Sequence, residues 1–439
     1  MDNTKNYLFL ILFHCLLGLG IFMFPFLSKV YALSIIVFGL YQILTTKNRN
    51  NEALYASAYI VGAEVFLRMT NGAFLYEFGK YGVVIFLFAG MFFSGFSKKS
   101  ISYWIFLLLL MPGIVIATQT LNLDTDIRKR IIFNISGPVC LGIASVYCYD
   151  RKISIKEINN LLLILGLPII SCSVYLLFYV PDVRAVITGT QSNFETSGGF
   201  GPNQVATILG LGMFVFFSRT LLASKNYLLV LVNLLLAIFI GYRGLITFSR
   251  GGMLTALLML LLLLFVLYIN TKGSGKLKLG FLAGVSLFMF FGIWAITQLQ
   301  TNGLIGKRYA NEDAIGRKKE TQLSGREMIA NTEINAFLEN PFFGIGVAKS
   351  KEMRMEELGL EVASHSEVTR MLAEHGMLGV LALLILGITP MIKYFNNKEH
   401  LYLFCFVAFW FLTINHAAMR IAAPAFVYAL SLLKVRINE

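Results

Sequence analysis

The stretch SHSEVTRMLAEHGMLG, residues 364–379, sets a histidine where polar sequence gives way to an apolar run. Ser364 and Glu367 have the S-x-x-E spacing of a capping box, with Ser364 as the N-cap of a helix and His365 as its first helical residue. The positive end of the helix dipole disfavours imidazolium, so a ring there is biased toward the neutral form, which can take a proton from a hydroxyl. The free backbone N–H groups of the same turn attract phosphate. The plainer alternative is an interfacial histidine with no chemical task. On an unbroken helix His365, Thr369, Leu372, Gly376 and Gly379 share one face, whose small residues allow a neighbouring helix to come close. Arg370 is spaced to pair with Glu367 and Glu374 and reads as structural. His375, His400 and His416 lack a comparable cap.

Arginine supplies the second kind of chemistry. Arg250 stands in TFSRGG directly before a long apolar run, and Gly251 and Gly252 allow close backbone approach. Arg243 lies seven residues earlier. A second capping box, Ser324 to Glu327, opens the helical stretch REMIANTEINAFLEN. Its residues Ala330, Ile334, Phe337 and Leu338 form an apolar side suited to lying on a membrane surface. Arg326 at its start either binds a diphosphate through its two-pronged guanidinium or is a plain surface charge. Asn340 and Pro341 end the helix, and FFGIG, with Gly344 and Gly346, reads as a flexible turn. SGGFGPNQ, residues 197–204 with Asn203, forms either a phosphate nest or a tight turn. Glu64 and Arg68 are four apart and pair with each other.

The elements that position these residues are membrane helices. The 439 residues are 57% hydrophobic and 14% charged, against about 25% charged in a soluble chain. Candidate spans lie at about 7–27, 30–45, 53–68, 82–96, 101–118, 131–149, 157–180, 203–221, 226–246, 251–270, 279–299, 376–394, 399–415 and 420–434. The third, fourth and last are short enough to be re-entrant, so about 12–14 crossings are expected. The chain reads as one all-α, polytopic integral membrane domain, 1–439, with a large external loop at 300–365. The run from Tyr7 to Leu27 is too long for a cleavable signal and lacks a small-residue cleavage site, so it reads as the first span. Cys15, Cys140, Cys148, Cys172 and Cys405 form no CxxC and read as packing residues.

If every span crosses, the basic connections TTKNRNN, SKKS, YDRKISIKE, SRTLLASKN, TKGSGKLKL and YFNNKEH and the tail KVRINE fall on one side, which is then cytoplasmic. The net charge of +13 partly reflects that bias. The loop at 300–365 faces out, as do GGFGPN and the segment carrying Arg243 and Arg250. Arg68, Arg370 and Arg420 join them at outer helix ends. Each such arginine can snorkel to lipid phosphate, whereas five on one face suit an anionic ligand. A transporter would instead carry charges or broken helices near the midplane, and the spans are almost free of charge there.

SRGG at 249–252, Arg326 followed by ENPFFGIG at 339–346, and His365-Ser366 with Gly376 and Gly379 resemble the O-antigen ligase and polymerase superfamily of bacterial membrane glycosyltransferases. The resemblance covers about residues 200–395; before that it is one of hydropathy alone. It implies a GT-C-like helical fold, with the loop at 300–365 on the periplasmic side of the bacterial inner membrane. It also implies an undecaprenyl-diphosphate-linked glycan donor and inverting, metal-independent transfer with no cofactor. Carried over, Arg250 and Arg326 hold the diphosphate and His365 assists the acceptor, with Arg243, Arg68, Asn203, Gly344 and Gly346 as further substrate contacts. The partners are the lipid-linked donor, an acceptor that is lipid A-core or another glycan, and membrane lipids, but no nucleic acid. A ligase acting on lipid A-core fits the signature best. A polymerase uses the same donor, and a protein O-oligosaccharyltransferase or a lipid-linked glycan transporter is a further alternative.

Overall fold

The computed structural model describes residues 4–124, 126–319, 326–359 and 364–436. Its helices are α1 (Thr4–Met23), α2 (Leu27–Thr46), α3 (Glu52–Met69), α4 (Phe78–Ser94), α5 (Ile101–Leu109), α6 (Met111–Thr120), α7 (Ile127–Cys148), α8 (Ile155–Tyr179) and the single turn α9 (Val183–Val186). They continue with α10 (Pro202–Leu222), α11 (Tyr227–Leu245), α12 (Arg250–Asn270), α13 (Ser274–Gln300), α14 (Leu304–Tyr309), α15 (Arg326–Glu339), α16 (Lys349–Leu358), α17 (Glu367–Phe395), α18 (Leu403–Ile414) and α19 (Ala423–Leu430). Among the described residues, ten helical stretches are long and apolar enough to cross a bilayer. The protein is a polytopic helical membrane protein, and each of the 14 expected spans coincides with a helix or helix pair.

Two helices form the interior. α3 packs against α8, α4 and α2, and α10 packs against α11, α12 and α8. Both are buried nearly all round, which is why their apolar residues show no one-sided stripe. α13, by contrast, is largely exposed along its length, as a lipid-facing helix would be. The expected span at 101–118 is two helices, α5 and α6, divided at Leu110 just before Pro112. All five cysteines are unpaired, and four are buried.

The basic connections gather at one end of the bundle. Arg151 donates to Ser94 Oγ at 3.1 Å and to the Gly95 carbonyl at 2.8 Å. Lys393 pairs with Asp150. Strand β1 (Lys152–Ser154) lies parallel to β2 (Lys434–Arg436), tying the tail to the same end. The opposite end collects the starts of α10, α12 and α17, the α18–α19 turn, and α14 to α16. The residues singled out for chemistry lie there.

Candidate functional site

The start of α12 is fixed by its turn and its neighbours. Phe248 adopts φ 59°, a left-handed conformation rare for a bulky residue, and is fully buried. Ser249 Oγ donates to Asn203 Oδ1 at 2.7 Å, joining the starts of α12 and α10. A Cβ on Gly252 would fall 2.4 Å from the Ala206 backbone, so only glycine lets these helices meet here. One on Gly251 would fall 2.4 Å from the His416 ring. The close approach expected of SRGG is therefore to other helices.

Arg250 emerges from this wedge beside two further cations. Its guanidinium donates to the Arg308 carbonyl at 3.3 Å, while Arg308 Nε donates to the Phe248 carbonyl at 3.0 Å. Lys319 donates to Thr190 Oγ1 at 2.9 Å. Partial burial, and then the positive charges of Arg308 and Arg250, hold the Lys319 ammonium below its usual range. Burial pushes the Tyr309 phenol up to about 12, against the pull of Arg250 and Arg308 on either side. Asp313, whose charge acts on Lys319 in the opposite sense, spends one carboxylate oxygen on the N–H groups of Ile315 and Arg317 at 2.9 and 2.8 Å. Three cations thus gather in one place, and the charges of Arg308 and Arg250 act on the Lys319 ammonium. Sequence reading missed Arg308 and Lys319, because KRY and RKK look like ordinary charge in a loop whose bases are nearly balanced by acids.

His365 is held by a different set of contacts, and the expected cap is displaced. The helix begins at Glu367, with Ser366 as N-cap, its Oγ accepting from the Thr369 N–H at 3.4 Å. His365 therefore precedes the cap and is not the first helical residue. Ser364 cannot cap because its hydroxyl lies 2.9 Å from the Ser366 carbonyl and 3.2 Å from Glu333 Oε2. Glu367 cannot reach back because it pairs with Arg370, as expected of that arginine, which also binds Glu374 at 2.9 Å. The His365 carbonyl accepts from the Ala418 N–H at 3.2 Å, and Ser366 Oγ donates to Asn415 Oδ1 at 3.3 Å. The turn after α18 thus touches His365 and, through His416 against Gly251, the start of α12.

α17 is not one continuous helix. Gly376 has φ 59° and ψ −140°, so the expected face from His365 to Gly379 is interrupted there. The Met377 N–H turns away from Ala373 and donates to the Pro341 carbonyl at 2.7 Å. The freed Ala373 carbonyl accepts from Ile345 N at 2.9 Å, and the Glu374 carbonyl from Gly346 N at 3.2 Å. These three groups released by the break are met by Pro341 and the FFGIG segment that follows it. That segment is pinned, which corrects its reading as a flexible turn. Gly344 and Gly346 abut the backbones of α17 and α6.

α15 also differs from expectation. Its packed face is Ile329, Thr332, Glu333 and Ala336, set against α17, whereas Ile334 and Leu338 are exposed. The apolar side is thus free to meet a membrane surface, and the side that touches protein carries a buried acid. Glu333 accepts from Arg354 at 2.8 Å, from Thr369 Oγ1 at 2.5 Å and from Ser364. Burial raises its pKa against the lowering effect of those three partners. The proposed capping residue Ser324 lies outside the described residues, as does the side chain of Arg326, whose backbone opens α15.

The remaining arginines are bound within the protein. Arg243 is 1% exposed and donates to the Leu176 carbonyl, so it points into the bundle and not to the outer surface. Arg68 pairs with Glu64, as expected, and donates to Gln204 at 3.1 Å and the Arg420 carbonyl at 3.0 Å. Arg420 in turn donates to the Ser364 carbonyl at 2.9 Å. In residues 197–204 the N–H groups of Gly198 and Gly199 are spent on the carbonyls of Glu195 and Phe194. The structure thus takes the tight turn and not the phosphate nest. Among the described residues no three His, Cys, Asp or Glu side chains gather to hold a metal ion.

A many-helix bundle with a cluster of cations and a histidine at one end is a multi-pass membrane protein. Residues 234–384, which carry Arg250, Arg308, Lys319, Arg326 and His365, match the O-antigen ligase family, a match that supports membership of that superfamily. No curated protein matches it.

Proposed function

We propose that the protein is a ligase-type glycosyltransferase that moves a glycan from undecaprenyl diphosphate to an acceptor hydroxyl, with lipid A-core as acceptor. The reaction takes place at the periplasmic face of the bacterial inner membrane, inverts the anomeric carbon and needs no metal. The observation that carries this reading is the cluster of Arg250, Arg308 and Lys319 inside the family-matched segment, at the same end as His365.

The bond between the anomeric carbon and the diphosphate oxygen breaks, and the acceptor oxygen bonds to that carbon from the opposite face. The departing diphosphate gains negative charge, which Arg250, Arg308 and Lys319 stabilise, with Arg326 as a further ligand. His365 takes the proton from the acceptor hydroxyl. Because fixed cations supply the charge stabilisation, the leaving group is adequate without a Lewis acid. The basic end opposite the site is the cytoplasmic one.

The test is a deletion strain whose lipopolysaccharide is resolved on a gel. Loss of all capped chains with intact free polymer is the expected result. A single capped repeat would instead make the protein a polymerase, and unchanged lipopolysaccharide would remove both readings. A reporter fused near Lys349 should behave as periplasmic and one near Lys276 as cytoplasmic; the reverse would put the site on the wrong side.

A further inference from the structure

The turn between α18 and α19, residues 415–422, holds four consecutive residues around the histidine. Arg420 Nη2 donates to the Ser364 carbonyl at 2.9 Å, and the Ala418 N–H donates to the His365 carbonyl at 3.2 Å. Ser366 Oγ donates to Asn415 Oδ1 at 3.3 Å, and the Met419 N–H donates to Glu367 Oε2 at 3.4 Å. The turn is itself constrained. Ala418 has φ 51°, a left-handed conformation that a residue with a Cβ keeps only where its surroundings impose it.

Part of that constraint comes from α3. Glu64 Oε2 accepts from the Ala422 N–H at 2.6 Å, and Arg68 Nη1 donates to the Arg420 carbonyl at 3.0 Å. One turn of α3 thus grips the far end of the α18–α19 turn. Neither side chain has room to move. They form an ion pair at 3.7 Å, with the arginine 3% and the glutamate 1% exposed. A Cβ on Gly79 would lie 2.4 Å from Glu64 Cδ, so α4 closes over the carboxylate. The Tyr76 ring lies 3.9 Å from the Arg68 guanidinium carbon.

Arg68 also reaches the other half of the site. The same Nη1 donates to Gln204 Oε1 at 3.1 Å. Gln204 follows Asn203, whose Oδ1 accepts from Ser249 Oγ at 2.7 Å, and Ser249 precedes Arg250. From one guanidinium nitrogen, one set of contacts runs to the start of α12 and the cations assigned to the diphosphate. The other runs through Arg420 to Ser364 and His365.

We propose that Arg68, steadied by Glu64, is a positioning residue that sets His365 relative to the Arg250 cluster, so that the base and the donor act at one anomeric carbon. This rests on the transferase reading above. It gives Arg68 a different task from the substrate contact expected of it, and it brings in two residues outside the family-matched segment 234–384.

Arg68→Lys keeps a cation beside Glu64 but loses the planar fork that reaches two acceptors. Glu64→Gln keeps an acceptor for the Ala422 N–H and loses the charge that holds Arg68. Hydrogen exchange and thermal melting are followed on the purified protein in detergent. Arg68→Lys should melt close to wild type. Its amides at 364–367 and 415–422 should exchange about ten- to a hundredfold faster, the scale of losing a hydrogen bond to a charged group, while those of α11 keep their rates. In transfer assays kcat should fall by about ten- to a hundredfold, as for a displacement of about 1 Å, with the KM for the lipid-linked donor unchanged. Glu64→Gln should move both readouts the same way by less, and it carries the test if Arg68→Lys melts early. Unchanged exchange at 364–367 would overturn the link. A donor KM that rises as far as kcat falls would make Arg68 a substrate contact, and faster exchange with unchanged kcat would make the contacts structural only. If wild type transfers no glycan while exchange at 364–367 still depends on Arg68, the transferase reading fails and the tie between α3 and the His365 segment stands.

Discussion

Glu333→Ala should open the seam between α15 and α17. The Glu333 and Arg354 side chains are 0% and 2% exposed, so removing the carboxylate takes an ion-pair partner from a buried guanidinium. Breaking a buried pair in this way costs about 3–5 kcal/mol. The hydroxyls of Ser364 and Thr369 lose an acceptor too, though Ser364 keeps the Ser366 carbonyl at 2.9 Å. The loss should appear as local opening, because α15 meets the bundle chiefly through α17. In hydrogen exchange on the detergent-solubilised protein, α15 amides should exchange roughly 140- to 4,000-fold faster, which is that energy at tenfold per 1.4 kcal/mol. Glu333→Leu/Arg354→Met removes both charges and should return α15 close to wild-type exchange. The pH dependence follows from burial, which raises the Glu333 pKa. The folded state then holds the proton more tightly than the unfolded chain, so this contribution is complete below the ordinary carboxylate pKa and is lost as pH rises through the raised one. Glu333→Gln should flatten that trend. If Glu333→Ala leaves α15 exchange within about threefold of wild type, or the double variant is as open as the single one, the buried pair is not what holds α15.

Three further outcomes are expected. Arg250→Ala, Arg308→Ala and Arg326→Ala should each lower turnover of purified, folded protein by about 10²–10³-fold, as loss of an oxyanion donor does, and lysine at 250 should restore only part; near-normal turnover would take that arginine out of the diphosphate site. His365→Ala should lower turnover by about 10²–10⁴-fold while donor affinity survives; loss of donor binding equal to that of Arg250→Ala would make the histidine a phosphate contact and not a base. Gly376→Ala should destabilise, because its φ is 59° and a Cβ would lie 2.6 Å from the Pro341 carbonyl, whereas Gly387→Ala, with nothing within 4 Å, should be neutral or stabilising by up to about 1 kcal/mol; thermal melting that ranks the two alike would refute the account of the break.

The membrane helices were legible because burial in lipid or protein demands long apolar runs, and local sequence records that demand directly. Pairs at helical spacing were legible for the same reason: Glu64 with Arg68, and Arg370 with Glu367 and Glu374, depend only on residues three or four apart. What failed depended on partners distant in the chain. Ser364 and Ser366 both offer a cap, and the S-x-x-E spacing favours the first. The choice goes to the second because Glu333, 31 residues away, engages Ser364 and because Arg370 engages Glu367. Arg308 and Lys319 matter only through Phe248, Thr190 and Arg250, contacts that no local pattern announces.

The break at Gly376 shows how such distant contacts serve the site. A helix that loses a hydrogen bond in a membrane must find another partner for each freed group. Here Pro341, Ile345 and Gly346 provide those partners, so the break fastens the end of α15 to the middle of α17. Upstream, Glu333 fastens the same two helices through Ser364 and Thr369. The segment carrying His365 is then also held by Ala418 and Asn415 from the far end of the chain. A base that must meet an acceptor hydroxyl within a few tenths of an ångström gains from such fixing. Because these ties come from separate segments, weakening one should shift the histidine less than weakening two. Glu333→Ala combined with Ser366→Ala should therefore lower turnover by more than the product of the single effects.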